Sequence, residues 1–353
     1  MEVKTGKINQ GNQRSALFKS GALLLLLFLF EATIAQDIHY SQFNASPQNL
    51  TPAQTGLFDG DWRFVGNYRS QWSAIPVPYK TFSLAADTRF NKLLKKDVPA
   101  AGLVINTDRA GDSKFTTLQV LASLAYIKKL TKDSTNFLAV SIQPGFTSKS
   151  FDVNALTFDN QYNGDIYDKN LLSGENFAKT KMRYFELGGG LAYLWKKSAR
   201  KQINIGASVM HLTQPKQSFF NNDEIRLDMK TCVSGLAEFP IAEKLDLVPT
   251  FMFQSQGKFK ETLVGTFGKY YLKPIDGKTT AVSLGAFYRL KDAFIVVANM
   301  DYRSFNVGVS YDVNTSRLIE ATNRRGAFEL SVIYIFKKEP VFIAKKRICP
   351  IYM

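Results

Sequence analysis

Stretches of this chain alternate apolar and polar residues with a period of two, the pattern of a strand with one face in an apolar environment. Over 117–127, Leu118, Val120, Ala122, Leu124 and Tyr126 share one face, and Thr117, Gln119 and Ser123 the other. Over 203–209, Ile203, Ile205, Ala207 and Val209 alternate with Asn204, Gly206 and Ser208. Over 282–290, Val282, Leu284, Ala286, Tyr288 and Leu290 oppose Ser283, Gly285 and Arg289. Val307, Val309, Tyr311 and Val313 oppose Gly308, Ser310 and Asp312, and Phe328, Leu330, Val332, Tyr334 and Phe336 oppose Glu329 and Ser331. Segments of this kind predict about 14 strands (12–16), starting near 62, 79, 99, 115, 135, 182, 202, 226, 244, 260, 279, 293, 305 and 326. No long amphipathic helix separates them, which argues against βαβ units. The pattern predicts an all-β chain, a transmembrane antiparallel β-barrel. A soluble sandwich or propeller would also alternate, but no repeat period appears.

With the first strand rising from the periplasm, the long connections near 150–180, 213–225 and 314–325 all fall outside, and the short ones near 91–98, 128–134, 196–201 and 240–243 fall inside. Bacterial barrels have that asymmetry. The tight Lys291-Asp292 turn fits badly, because it too falls outside.

One stretch is continuously apolar, Gly21 to Phe30, preceded by Lys4, Lys7, Arg14 and Lys19 and followed by Thr33-Ile34-Ala35. It is too short to span a bilayer and has the layout of a cleaved signal peptide. The expected division is signal peptide 1–35, an N-terminal periplasmic or plug segment 36–61, the barrel 62–337 and a periplasmic tail 338–353. The mean hydropathy of −0.14 does not oppose a barrel, since lipid-facing and lumen-facing residues average out. Aromatics at 13% suit interfacial girdles. The net charge of +15 falls to about +13 without residues 1–35, whose four basic residues are offset by Glu2 and Glu31. Export turns that charge away from nucleic acid and toward acidic lipopolysaccharide, peptidoglycan or an acidic protein. The two cysteines, Cys232 and Cys349, are too few for a disulfide scaffold.

Little in the chain points to catalysis. His39 and His211 have no metal-ligand spacing to a second ligand, and Gly188-Gly189-Gly190 precedes no helix and reads as a bend or close packing. No cofactor and no catalytic or metal site is expected. Charges on the polar strand faces stand out instead: Arg69, Asp87, Arg89, Asp108, Glu186, Arg289 and Glu329. Of these, Arg69, Asp87, Arg89 and Arg289 are candidates to line the lumen or hold a plug. Ser331, on the same faces, is expected to be a hydrated lumen position that tolerates arginine better than Val332 does.

The stretch Gln36-Asp37-Ile38-His39-Tyr40-Ser41-Gln42-Phe43, then Asn49-Leu50-Thr51-Pro52-Ala53, Gly56, Asn67-Tyr68-Arg69-Ser70-Gln71-Trp72 and Asp87, resembles the PorP/SprF family of type IX secretion system membrane proteins of the Bacteroidota. Asp108-Arg109-Ala110-Gly111, His211-Leu212 with Pro215, Tyr288-Arg289, Tyr311-Asp312-Val313, Gly326 to Glu329 and Cys349-Pro350 follow in the family's order. The tail departs from it, with Ile351-Tyr352 in place of Arg-Phe. The resemblance implies a non-enzymatic outer-membrane component that supports export or surface anchoring of secreted proteins such as large adhesins. It implies as partners the periplasmic ring and peptidoglycan-binding components, a secreted adhesin and outer-membrane lipid. Lys196, Lys197, Arg200, Lys201, Lys345, Lys346 and Arg347 would gather at the periplasmic rim and are candidates for docking an acidic partner. The competing reading is a passive porin or solute channel, and an outer-membrane hydrolase is a third.

Overall fold

A computed structural model of the chain describes residues 37–71, 79–91, 93–94, 96–220, 222, 224–273, 280–316 and 322–338. The expected signal peptide with its Gln36 product, and Lys345, Lys346, Arg347 and Cys349, lie outside the described residues.

The alternating segments form fourteen strands: β1 (Trp62–Gln71), β2 (Tyr79–Arg89), β3 (Val98–Ala110), β4 (Phe115–Lys129), β5 (Asn136–Ser150), β6 (Lys181–Ser198), β7 (Lys201–Met210), β8 (Lys230–Ala242), β9 (Leu245–Gln256), β10 (Phe259–Lys273), β11 (Thr280–Arg289), β12 (Ala293–Tyr302), β13 (Phe305–Asn314) and β14 (Arg325–Phe336). Each pairs with its sequence neighbours, and β1 closes on β14 from Trp62↔Phe336 to Gln71↔Ala327, giving a closed barrel. Closure gives every strand two partners, so no row of backbone donors and acceptors is left at an edge.

The strand starts match the expected ones to within a residue, except that β8 begins at Lys230 rather than near 226. There the chain pairs with its own loop: Gln217 donates to the Ile225 carbonyl and Leu227 to that of Pro215. The Lys291-Asp292 turn is an exception to the loop asymmetry rather than a sign of a miscount. It turns tightly with Lys291 at φ 62°, and the first residues after β13 lie against it, with Thr315 and Ser316 donating to the Asp292 carbonyl.

Alternation sorts side chains between two environments. Outward positions carry exposed apolar residues, such as Leu124, Phe146, Leu191 and Leu284, an apolar band suited to lipid. Val332 is 36% exposed while its neighbour Ser331 is 1% exposed. At the rim holding both barrel ends, here the terminal rim, Trp62, Phe64, Tyr334 and Phe305 stack in sequence with ring centroids 6.2, 6.3 and 4.6 Å apart. That row fits an interfacial aromatic girdle. The inward face is polar along much of its length, with two apolar clusters around Phe43 and Ala53.

Candidate functional site

Residues 38–60 precede β1 and carry the chemistry that fills the barrel. Ser46-Pro47 and Thr51-Pro52 each place a proline at the start of a short turn, where its fixed φ suits the first helical position. They begin one helical turn at Pro47–Leu50 and a 3₁₀ turn at Pro52–Gln54, the latter with Thr51 accepting from the Ala53 amide at 3.4 Å. Ser41 contacts inward side chains of β1, β11, β13 and β14. Thr51 and Gln54 contact β7, on the other side of the barrel. A segment that bonds inward residues on opposite walls of a closed barrel lies within it.

The first anchor is a buried charge cluster. The Ser41 hydroxyl donates to Asp312 at 2.7 Å and accepts from Arg69 Nη1 at 2.8 Å and Arg289 Nη2 at 2.5 Å. Arg69 also pairs with Glu329 and, at 3.3 Å, with Asp312. Arg289 pairs with Asp312 at 3.2 Å, Asp292 at 3.1 Å and Glu261 at 3.0 Å. Glu329 then receives the backbone amides of Ser41 and Gln42 at 2.7 and 2.8 Å, one on each oxygen. Charge-assisted bonds of this kind are short and strong. The cluster therefore ties five strands, β1, β10, β11, β13 and β14, to two consecutive residues of the lumen segment.

A second anchor sits nearer the terminal rim. Arg63 grips Asp87 through Nε and Nη2 at 2.9 and 2.8 Å, and Nη2 also donates to the Gln54 carbonyl at 2.9 Å. Asp87 accepts the Gly56 amide at 2.8 Å, and Gly56 makes this bend at φ +76°, a conformation that favours glycine. Arg89 donates to the Phe58 carbonyl at 2.6 Å. Between the anchors, Asn49 and Asn106 exchange bonds at 3.2 and 2.9 Å, and Gln54 and Asn204 at 2.7 and 2.9 Å.

Four wall glycines mark where the segment touches. A Cβ on Gly206 would lie 2.7 Å from Thr51 Cγ2, and one on Gly102 2.5 Å from Gln48 Nε2. Gly190 and Gly308 face Thr51 and Gln42 in the same way. Of the triplet read from sequence as a bend or close packing, Gly190 packs against this chain's own N-terminal segment, whereas Gly188 and Gly189 face Met210 and the Ser141 carbonyl of neighbouring strands.

The family profile described as "Type IX secretion system membrane protein PorP/SprF" matches residues 32–334, nearly the whole chain. The chain belongs to the PorP/SprF family of type IX secretion system membrane proteins. It is an outer-membrane β-barrel. No curated protein matches its sequence. Its fold is similar to that of two solved channels. One is the CymD monoaromatic hydrocarbon channel, at 8% identity and TM-score 0.46 over 83% of this chain and 93% of that one. The other is the toluene transporter TodX of P. putida, at 10% identity and TM-score 0.46 over 82% and 93%. The NanC porin is similar at 11% identity and TM-score 0.37, over 78% of this chain and 100% of that one.

In this PorP/SprF chain, the lumen candidates separate into two groups: Arg69 and Arg289 meet at Ser41, while Asp87 and Arg89 hold Gly56 and Phe58. Asp108 accepts from Thr81 at 2.6 Å, and Glu186 faces His211 Nδ1 at 3.0 Å. His211 sits past the end of β7 at φ 58°. Cys232 is buried with a free thiol. Sequence reasoning missed Arg63, Ser41 and Glu261. Arg63 has the same parity as Arg69 along β1 and could have been found by it. Glu261 shares its face with apolar Leu263 and Phe267, which hid it.

The rim candidates are of two kinds. Lys196 pairs with Asp59, whose carboxyl is opposed by partial burial yet held below its usual range by Lys196, Arg89 and Lys337. Arg200 bonds Asp246 at 2.6 Å and the carbonyls of Ala242 and Glu243 at 2.9 and 2.6 Å, and stacks on Tyr271. Lys197 and Lys201 are exposed.

Proposed function

We propose that this protein is a plugged, non-enzymatic outer-membrane component of the type IX secretion and gliding machinery, which supports export or surface anchoring of secreted proteins such as large adhesins. The observation that carries this reading is the lumen segment, residues 38–60, held to the barrel wall by hydrogen bonds to the buried ion-paired residues of the strands. A passive porin requires an open lumen, and an arrangement so heavily bonded to its own N-terminal segment suits a docking or assembly role better.

In this reading the terminal rim faces the periplasm, because the connections 199–200, 243–244 and 303–304 on it are short, whereas 151–180 and 211–229 on the other rim are long. Periplasmic ring and peptidoglycan-binding components are then the partners docked at that rim. Lys128, Lys129, Lys197 and Lys201 supply the charge available for docking, because Lys196 and Arg200 are already engaged within the barrel.

Planar-bilayer recording tests the plug. The full chain should be electrically silent, and a variant lacking residues 38–57 should conduct. Steady porin-like conductance from the intact chain would refute the plug and favour the channel reading. Partner co-purification, with Lys128, Lys129, Lys197 and Lys201 replaced by glutamine, tests the docking rim. Loss of partner with normal barrel insertion is expected, and undiminished capture would refute it.

A further inference from the structure

The lumen segment does not fill the barrel mouth evenly. Between residues 56–59 and the inner wall of β3 to β8 it leaves a cavity of about 730 Å³. That lies within the range of about 300–1,000 Å³ typical of ligand sites. Its apolar lining includes Leu57, Phe137, Leu194 and Leu236. Its cationic lining includes Arg89, Lys129 and Lys197, which form no ion pair among the described residues. Arg89 donates one N–H to the Phe58 carbonyl, while its buried Nε has no hydrogen-bond partner. The other two lining cations, Lys196 and Lys269, are neutralised by Asp59 and Glu238. Asp133 is the one lining carboxylate not so engaged. The site therefore combines apolar lining residues with a net positive charge, five cations against the three carboxylates of Asp59, Asp133 and Glu238, the complement of an acidic ligand with apolar side chains.

Access decides between ligand classes. Consecutive strands from β3 to β8 are paired by ladders broken only briefly, at Pro144 between β4 and β5 and by a bulge at Lys196–Ser198 between β6 and β7, so the wall offers a lipid no sideways gap along the ladders. Entry runs along the barrel axis from the terminal rim. We propose that this mouth cavity binds an acidic, apolar-flanked peptide segment of a partner protein, inserted from the terminal rim. The proposal rests on the docking-rim reading above and gives that rim a specific receptor site.

The full-length protein in detergent micelles is titrated against a fluorescein-labelled nonapeptide of alternating glutamate and leucine, with anisotropy as the readout. Saturable binding is expected, weakened by added salt. Lys129→Glu with Lys197→Glu should weaken it roughly 10-fold or more. Ala199→Trp, which fills the cavity mouth without altering charge, should do the same. Heat-modifiable migration on gels confirms that each variant is folded. No saturable binding, equal binding of a lysine–leucine nonapeptide, or retention of binding in both folded variants would each overturn the proposal. Displacement by short-chain phosphatidylglycerol as effective as by unlabelled peptide would overturn it in favour of a lipid site. If the probe fails to bind but glutamine at Lys128 and Lys201, outside the cavity, still abolishes partner capture, the docking rim stands and the cavity falls. If the probe binds while partner capture ignores rim charge, the cavity stands and the docking rim falls.

Discussion

Arg69 is 2% exposed and shares Asp312 with Arg289, so its guanidinium keeps two buried carboxylates compensated. Removing one partner of a buried ion pair leaves a charge without water or counter-charge, at a cost of about 3–5 kcal/mol. Arg69→Met is therefore expected to lower barrel stability by that amount in a urea titration of refolded protein. Lys201→Met, an exposed control, should cost under about 1 kcal/mol. Equal losses would mean the cluster contributes nothing special. The outer face follows different physics. Val332→Arg places a charge against lipid and should cost about 2–4 kcal/mol near mid-bilayer. Sequence alone reads Ser331 as a hydrated position that tolerates arginine, but Ser331 bonds Gln42 Oε1 at 2.8 Å and has no room for water. Ser331→Arg should instead displace the lumen segment, read as new protease cleavage within residues 38–60. An unchanged digest would show that the wall at β14 yields instead.

Among the elements, the lumen segment is the unusual one, because it has almost no regular structure and holds its shape through the wall. Phe43 packs edge-on against Phe287 with centroids 6.4 Å apart, and its burial contributes about 1.5–3 kcal/mol. Glycines opposite the segment leave room for its side chains, such as Thr51, Gln48 and Gln42, to lie directly against the strand backbone. Gly190→Leu should overlap Thr51 and Pro52, costing about 1–3 kcal/mol by overpacking and loosening the segment. Gly268, where an added Cβ meets nothing within 4 Å, provides the control. Thiol labelling of a cysteine placed at Asn49 would report the difference. Equal labelling of the Gly190→Leu and Gly268→Leu proteins would show that close approach at β6 is dispensable.

For the whole molecule, closure through β1 and β14 matters most. Since no strand edge is open, unfolding has no local starting point, and unboiled protein should migrate differently from boiled protein on denaturing gels. Identical migration would contradict a closed barrel in the purified protein. Terminal-rim charge acts at this scale too, but less than its lysine count suggests. Lys196 and Arg200 are spent on Asp59 and Asp246, the first tying the end of the lumen segment to β6 and the second bracing the β8–β9 turn.

The order of strands, their count and the sorting of side chains between lipid and lumen were determined by the sequence by itself. Period-two alternation is a local property, and a register slip of one residue would turn every apolar face inward. Parity along the strands likewise marked Arg69, Asp87, Arg289 and Glu329 as inward before any contact was known. What they bind was decided by tertiary structure. Ser41 lies 28 residues from Arg69 and 288 from Glu329, and only closure of the barrel brings them together. The occupied lumen, the pairing of Lys196 and Arg200, and the cavity beside residues 56–59 share that origin. Each depends on where an irregular segment settles against a finished wall, and irregular backbone carries no periodic signal for a sequence to display.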